Sequence, residues 1–288
     1  MLVHIKEIIP KAEKGGYAIP AFNTFNLEVT LAIVRGAVAQ NSPVIIQVSE
    51  KTIEYAGLKP ITHIVETIAK NEAVNVPVAL HLDHGKSFRS VAECIHAGFS
   101  SIHIDASELP LDENTILTKQ VVDYAHKNSV WAQGELGTIL GKKEILDEKI
   151  SENLEKFMTN PDQAQEYVKK TKVDTFAPSV GAMHGLFVGK EKINQEILKQ
   201  IKHQINIPIV LHGASGVSDE DIRQAISNGV VIINIDTRIR ETFSNTLRET
   251  LMTHQQEMDP RKILTPTIDA IQKVIEEKII LFGSKGTA

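Results

Sequence analysis

Three histidines in this sequence are each followed by a glycine, at the end of an apolar segment or in the loop after one. The pairs are His84-Gly85, His184-Gly185 and His212-Gly213. Imidazole is a common zinc ligand, and a neighbouring glycine lets the backbone approach a bound ion closely. Three histidines from three separate segments therefore predict a metal site with one coordination position left open.

A carboxylate stands directly before the first of these histidines. The apolar segment 78–82 leads into Asp83, and because successive side chains of a strand alternate between its two faces, His81 and Asp83 face the same side. We interpret Asp83 as a group that moves a proton at an oxygen of a carbonyl substrate, and His81 as a packing or supporting residue. The other histidines are interpreted as surface, helix or core residues: His4, His63, His96, His103, His126, His203 and His254.

Eight short apolar or β-branched segments alternate with predicted helices. Several segments are almost wholly apolar, as strands buried on both faces of a parallel sheet are. The alternation predicts repeated βα units. The predicted strands are 17–21, 43–48, 78–82, 101–104, 130–136, 174–177, 208–211 and 231–235.

Capping residues mark the helices between these strands, because Ser, Asp and Asn accept hydrogen bonds from the first backbone N–H groups of a helix. Eight strands and at least eight helices, with no low-complexity linker, predict the α/β class and a single (β/α)8 TIM barrel over residues 1–288. An open doubly wound sheet is the alternative, but no Gly-x-Gly-x-x-Gly follows the first strand. The predicted caps are Asn26 for 27–40, Asp112 for 113–127, Asn160 before Pro161, and Ser218; an extra C-terminal helix is predicted at 267–282.

Each predicted strand carries a polar residue at its carboxyl end or in the loop after it. The active site of a (β/α)8 barrel lies at the carboxyl ends of its strands, so these residues are expected to form one ring. Any one of them could be an ordinary turn or capping residue, but a ring of eight is harder to explain that way. In strand order they are Asn23, Ser49, Asp83 with His84, Asp105, Glu135, the loop that reaches His184, His212, and Asn234 with Asp236.

Two of the loops suit a phosphate group. Gly213-Ala214-Ser215-Gly216 follows the seventh strand, and Asn234-Ile235-Asp236-Thr237 leads from the eighth strand into a helix. Loops after strands seven and eight are the usual phosphate site of such barrels. A metal, a phosphate site and an acid together suggest carbanion chemistry next to a carbonyl. A lysine Schiff base would be the other route, but none of the eight predicted strands contains a lysine.

Composition restricts the partners. The net charge is −5 and the pI is about 6.1, with basic residues scattered along the chain, so no nucleic-acid partner is expected. No apolar run approaches the ~18 residues of a membrane span, and no membrane partner is expected. The single cysteine, Cys94, has no second cysteine to pair with, which fits a reducing compartment. We therefore expect a cytoplasmic protein.

Seven stretches together carry a resemblance to a known family. They are 21–28, 42–50, 81–85, 97–105, 134–138, 212–216 and 233–237, and they include His81-Leu82-Asp83-His84-Gly85 and Gly134-Glu135-Leu136-Gly137-Thr138. Over essentially its full length the chain resembles the class II, zinc-dependent fructose-bisphosphate aldolases, which cleave fructose 1,6-bisphosphate to dihydroxyacetone phosphate and glyceraldehyde 3-phosphate. The resemblance implies a lyase of carbohydrate metabolism and glycolysis.

The resemblance also implies roles for individual residues. Asp83 would protonate the aldehyde oxygen, and Zn²⁺ would be held by His84, His184 and His212, with Asp105 and Glu135 supporting it or taking a displaced second metal. Backbone carbonyls near Met183, Gly185 and Gly213 would bind Na⁺ or K⁺, and a homodimer or homotetramer is implied. The sugar phosphate would contact Asn23, Ser49, Gly185, Gly213, Ala214, Ser215, Asn234, Ile235, Asp236 and Thr237.

One loop departs from the family. The family usually carries a glutamate base on the loop after the fifth strand, and the corresponding place here is lysine, in Gly141-Lys142-Lys143-Glu144. Because an exposed lysine is protonated at neutral pH, Glu144 is the predicted base, after a small adjustment of the loop. If Glu144 does not reach the substrate, slow turnover or a different reaction is expected.

Other functions remain open at this point. Within the family the substrate could be tagatose bisphosphate or a deoxy-keto-gluconate phosphate, although Asp236 before Thr237 favours fructose bisphosphate. A zinc hydrolase on the same barrel would normally show a His-x-His pair on the first strand, which has no histidine here. A non-catalytic binding protein derived from an aldolase is the third alternative, and the presence of all three histidines and Asp83 argues against it.

Overall fold

Eight parallel strands form a closed barrel, in which each strand pairs with the next and β8 pairs with β1. The computed structural model describes residues 1–139, 154–182 and 192–288. The predicted α/β class and (β/α)8 barrel are confirmed. The strands are β1 (Ile19–Asn23), β2 (Val44–Ser49), β3 (Val78–Gly85), β4 (Ser101–Ile104), β5 (Trp131–Leu136), β6 (Thr175–Pro178), β7 (Ile209–Leu211) and β8 (Val230–Ile235).

Helices surround the barrel and connect its strands. In the described part of the chain, none of them is both long and apolar enough to cross a membrane. They are α1 (Ile9–Gly15), α2 (Leu27–Ala39), α3 (Glu50–Ala56), α4 (Leu58–Glu72), α5 (Phe88–His96), α6 (Leu111–Lys127), α7 (Pro161–Thr171), α8 (Gln195–Gln204), α9 (Asp219–Ser227), α10 (Thr237–Thr253) and α11 (Pro260–Leu281), with 3-10 turns at Ile5–Glu7, Leu154–Phe157 and Ala214–Gly216.

Three predicted helix caps are confirmed. The side chains of Asn26, Asn160 and Ser218 accept hydrogen bonds from backbone N–H groups in the first turns of α2, α7 and α9. Asp112 is not a cap, because α6 begins at Leu111 after Pro110 and places Asp112 in its first turn. A carboxylate there still stabilises the positive end of the helix dipole.

The predicted start of the C-terminal helix was wrong by several residues. The helix α11 begins at Pro260, after an Asp259 side chain that accepts a hydrogen bond from Arg261 N–H, and it continues through Pro266. A proline inside a helix lacks the backbone N–H and usually ends a helical pattern, so the sequence alone favours a start after it. Packing of α11 against α2 and α10 holds the helix together across Pro266.

The apolar core has two parts. The larger part fills the space between the strands and the outer helices, and the smaller part lies within the amino-terminal end of the barrel. There Ile5, Ile8 and Ile9 from the N-terminal segment pack against inward-facing Ile45 and Val210. Apolar side chains therefore fill the amino-terminal end of the barrel interior.

The contact between α2 and α11 depends on Gly36. A Cβ atom at this position would lie 2.7 Å from Ile275 Cγ2 and 2.9 Å from Ile275 Cβ. We expect Gly36→Val to lower the free energy of unfolding by about 1–3 kcal/mol, because the two helices would have to move apart. Urea unfolding would measure it, with Val38→Ala on the exposed face of the same helix as the control. Unchanged stability in Gly36→Val would contradict this close packing.

Candidate active site and metal centre

The backbone at the end of β3 turns two consecutive side chains into the same site. Asp83 and His84 would face opposite sides of a regular strand. However, the pairing of β3 with β4 shifts between Leu82 and Gly85, and His84 has a left-handed φ of 50°. Such a bulge re-aims a side chain, and here it brings His84 beside Asp83, with His84 Nε2 3.8 Å from Asp83 Oδ1.

Glycine after His84 is required by the neighbouring strand. A Cβ atom at Gly85 would lie 2.9 Å from the backbone oxygen of His103 on β4 and 2.9 Å from Leu82 Cδ2. A substituted residue there would push β4 away from the bulge. This close approach gives the first His-Gly pair of the sequence a structural reason.

His84 is oriented by a carboxylate from the next strand. Its Nδ1 donates a hydrogen bond to Asp105 Oδ2 over 2.8 Å, and Lys86 Nζ lies 2.7 Å from the same oxygen. The other oxygen of Asp105 accepts from the backbone N–H and the hydroxyl of Ser107. With Nδ1 protonated, Nε2 is the nitrogen of His84 that can bind a metal. Asp105 therefore has the contacts of a residue that supports a ligand, while its predicted direct ligation stays a prediction.

Asp83 is buried and held from one side. Its Oδ2 accepts a hydrogen bond from Asn23 Nδ2 over 2.7 Å, and its Oδ1 has no hydrogen-bond partner among the described residues. Burial raises the pKa of Asp83, but the charge of His84 and the Asn23 hydrogen bond outweigh it and keep that pKa below its ordinary value. Asp83 is thus a carboxylate with one oxygen fixed and the other available to a substrate.

His212 comes from the loop just after β7 and meets His84 at the centre of the barrel mouth. His212 Nδ1 lies 3.2 Å from His84 Nε2. On its other side, His212 Nε2 contacts the side-chain amides of Gln133, at 2.8 Å, and Asn234, at 3.1 Å. Both contacts are made by the amide nitrogens, which donate to an unprotonated Nε2. Turning one amide by 180° presents its oxygen to a protonated Nε2, the form in which Nδ1 carries the lone pair that a metal needs.

Glu135 and His103 complete the cluster. Glu135 Oε2 lies 3.5 Å from His212 Nδ1 and 3.6 Å from His103 Nε2. Burial raises the pKa of Glu135 to about 8, although the His84 charge opposes this rise. Burial also lowers the pKa of His103 to about 3. Two overlapping groups have ligand atoms within 4.8 Å of one another: Asp83, His84, His103 and His212; and His84, His103, Asp105 and Glu135.

His103 is the residue that sequence reasoning missed. Its sequence context predicts only a surface, helix or core histidine, and the structure places it fully buried beside the candidate metal ligands. The alternation Ser101-Ile102-His103-Ile104 was the available signal, because it sends the polar side chains to one face of β4 and the apolar ones to the other. His81 is buried as predicted and pairs with Ser101 Oγ over 2.6 Å.

The predicted phosphate loops border the same cavity. A pocket of about 80 Å³ is lined by residues of both loops, including Gly213, Ser215, Asn234, Asp236 and Thr237, together with Asp83 and His84. The side chains of Ala214 and Ile235 point instead into the outer core, so only their backbone groups could meet a ligand.

A larger cavity of about 510 Å³ opens from the cluster towards α3 and α10. It is lined by Ser49, Lys51, Lys86 and Arg240, among others. Ser49 Oγ also accepts a hydrogen bond from Thr52 N–H and caps α3. Arg240 Nε bonds to Asp236 Oδ1 over 2.8 Å. A ligand longer than one phosphate group can therefore extend from the His84–His212 cluster to these basic side chains.

Several predicted residues lie outside the described residues. They are the ligand His184 with Met183 and Gly185, and the loop residues Lys142, Lys143 and Glu144.

Comparison with known proteins identifies the family. The profile of the family described as fructose-bisphosphate aldolase class-II matches residues 3–287. The chain belongs to the class II fructose-bisphosphate aldolase family. It is 40% identical to the fructose-bisphosphate aldolase of Geobacillus stearothermophilus and 39% identical to the probable fructose-bisphosphate aldolase of Bacillus subtilis strain 168; both alignments cover 100% of this chain and 99% of the relative.

Solved structures of aldolases have a fold similar to that of this chain. The chain superimposes on the YdjI aldolase of Escherichia coli K12 with a TM-score of 0.86 and 31% identity, over 100% of both chains. It also superimposes on the fructose-bisphosphate aldolase of Campylobacter jejuni with a TM-score of 0.82 and 26% identity, over 100% of this chain and 97% of that one. Membership of this family makes the protein a lyase, so the predicted enzyme class is confirmed.

The aldolase family is metal-dependent, and the described cluster fits a divalent metal. Tetrahedral zinc with bonds of about 2.1 Å places two ligand atoms roughly 3.4 Å apart. His84 Nε2 and His212 Nδ1 are 3.2 Å apart. Asp83 Oδ1 is buried beside them and has no hydrogen-bond partner among the described residues, as expected next to a site where a cation supplies the missing interaction.

The orienting role of Asp105 can be tested through metal affinity. We expect Asp105→Ala to weaken binding of zinc about 10–100-fold, because the His84 ring would lose the acceptor for its Nδ1 proton. Competition with a chromophoric chelator would measure the dissociation constant. Asp112→Ala is the matched control, since it removes an exposed carboxylate in the first turn of α6, which has no contact with His84. Equal affinities in Asp105→Ala and the wild type would contradict the assignment.

Proposed function

We propose that this protein is a zinc-dependent aldolase that cleaves fructose 1,6-bisphosphate reversibly to dihydroxyacetone phosphate and glyceraldehyde 3-phosphate. One observation carries the proposal: Asp83, held by Asn23, lies directly beside the His84–His212 pair at the mouth of the barrel. Family membership, and relatives named fructose-bisphosphate aldolase, support this choice of substrate.

In this proposal the metal ligands are His84, His212 and His184, with Glu135 and Asp105 beside them. Zinc held by these residues would supply Lewis-acid chemistry: it would polarise the ketone oxygen and so stabilise the carbanion on the dihydroxyacetone phosphate half. Asp105 is a largely buried carboxylate beside His84, and the buried Glu135 would exchange its proton for a divalent cation. A monovalent cation at the backbone carbonyls near Met183, Gly185 and Gly213 completes the proposal.

The chain's own residues handle the protons and the phosphates. Asp83 takes the proton from the C4 hydroxyl during cleavage and returns it to the aldehyde oxygen during condensation, while Asn23 holds its second oxygen in place. Glu144 gives a proton to the carbanion carbon after cleavage and removes that proton at the start of condensation. The Gly213–Ser215 and Asn234–Thr237 loops bind one phosphate, and Ser49 binds the other across the larger cavity.

The proposal extends to the oligomeric state and the cellular location of the protein. We propose that residues 1–288 act as one catalytic domain in a cytoplasmic homodimer or homotetramer. Exposed Leu251, Met252 and Met258, at the end of α10 and in the turn after it, are apolar surface that a second subunit could cover. Sedimentation equilibrium would measure the mass of the assembly.

Coupled aldol cleavage is the first test of the function. We expect fructose 1,6-bisphosphate to be cleaved, EDTA to abolish cleavage, and added zinc to restore it. The coupling enzymes alone, assayed with EDTA and glyceraldehyde 3-phosphate, are the control. Full activity in EDTA would overturn the metal mechanism. Cleavage of tagatose bisphosphate or a deoxy-keto-gluconate phosphate by zinc-loaded protein that leaves fructose 1,6-bisphosphate intact would overturn the assigned substrate.

Partial reactions distinguish the proton-transfer role of Asp83 from that of Glu144. We expect Asp83→Asn to lose roughly 100- to 10,000-fold in cleavage while it still exchanges a carbon-bound proton of dihydroxyacetone phosphate with solvent. Glu144→Ala should lose both cleavage and exchange. Lys143→Ala, one residue away, is the control for Glu144, and it should retain exchange. Isotope incorporation followed by NMR gives the rates.

Two other results of the exchange experiment would change the assignment of Glu144 as the base. Normal exchange in Glu144→Ala would show that another group removes the carbon-bound proton. Faster exchange in Lys143→Glu than in the wild type would show that the native loop holds a weakened version of the family's base.

A further inference from the structure

Two buried polar atoms face each other beside the metal centre. His103 Nε2 and Glu135 Oε2 are 3.6 Å apart, and neither has a hydrogen-bond partner among the described residues. Both residues are almost completely buried, with 0% and 2% of their surface exposed. Buried polar atoms nearly always have a partner, so this pair calls for an explanation.

The backbone of β3 fixes which nitrogen of His103 carries the proton. The backbone N–H of His84 donates a hydrogen bond to His103 Nδ1 over 3.3 Å. A backbone amide is always the donor, so Nδ1 must present a lone pair. A neutral imidazole with a lone pair on Nδ1 carries its proton on Nε2, the nitrogen that faces Glu135.

We propose that His103 is a positioning residue that donates its Nε2 proton to Glu135 and holds this carboxylate towards the metal centre. The inference deepens the proposed function, because it assigns a residue that shapes the metal site of the proposed aldolase. The separation of 3.6 Å shortens to a hydrogen bond through a small rotation of the Glu135 carboxylate. His103 then fixes the Glu135 oxygen that faces it and so holds this carboxylate beside His212 Nδ1.

Direct ligation by His103 is the competing arrangement, and the same amide opposes it. A metal binds the unprotonated nitrogen of an imidazole, so ligation through Nε2 would move the proton to Nδ1. The Nδ1 proton would then face the backbone N–H of His84, and two donors would oppose each other in a buried space. His103 is therefore placed to orient a ligand and not to be one.

The positioning role of His103 can be tested with two substitutions of similar size. His103→Gln keeps an amide N–H close to the position of Nε2, whereas His103→Met fills the space without a donor. We expect His103→Met to weaken zinc binding about 10–100-fold and His103→Gln to keep most of the wild-type affinity. The absorption bands of bound Co²⁺ should keep their positions and intensities in both variants, because no ligand is lost.

Two results with the variants would overturn the inference. Unchanged zinc affinity in His103→Met, with only a lower melting temperature of the metal-free protein, would make His103 a structural core residue. A change in the Co²⁺ bands in both variants would make it a metal ligand. All these measurements use metal binding without substrate, so they remain informative if the proposed sugar phosphate is wrong. A wild-type protein that binds no divalent metal would instead refute the proposed metal centre.

A measurement on the unsubstituted protein gives an independent answer. Nitrogen-15 NMR of the histidine rings distinguishes the two neutral tautomers, and His103→Gln identifies the signals of His103 by their loss. We expect His103 to carry its proton on Nε2 in both metal-free and zinc-loaded protein. A proton on Nδ1 in the zinc-loaded protein would overturn the inference in favour of ligation.

Discussion

The site depends on the bulge that ends β3. In a regular strand Asp83 and His84 would face opposite sides, and only one of them could reach the barrel interior. The left-handed backbone at His84 and the shifted pairing with β4 bring both into the mouth of the barrel. The same bulge turns the His84 backbone N–H towards His103. Acid, candidate ligand and supporting histidine therefore all depend on one local departure from regular pairing.

The cluster brings three carboxyl groups into the barrel mouth, where their charges need compensation. Asp83 and Glu135 are buried and Asp105 is largely buried, and each has an oxygen within 4.8 Å of a ring nitrogen of His84 and of His103. Burial of unpaired carboxylates is costly. Lys86 balances Asp105, and His84 lies between Asp105 and Asp83. Because burial raises the pKa of Glu135 to about 8, this carboxyl is largely protonated at neutral pH, and a divalent cation at the centre would take the place of its proton. The same charges that would destabilise the metal-free barrel are thus the source of its proposed affinity for a metal.

Much of the fold could be read from local signals. Strand ends followed by polar residues, and helix starts marked by Asn26, Asn160 and Ser218, follow from short-range periodicity and capping. The start of the C-terminal helix was predicted wrongly because tertiary packing overrides the local preference of the sequence there. Pro266 is a helix breaker by its own chemistry, yet α11 continues through it because the helix is packed along α2 and α10.

The sequence by itself determined the barrel, the residues at its strand ends and the family, because these depend on alternation, spacing and motifs within short stretches. Only the tertiary structure decided that His103 joins the cluster, that Asp105 bonds to His84 Nδ1, and that Glu135 lies between His103 and His212. The physical reason is register. Whether side chains from β3, β4, β5 and the end of β7 meet depends on pairing across strands far apart in sequence, and on a bulge that no short-range pattern encodes.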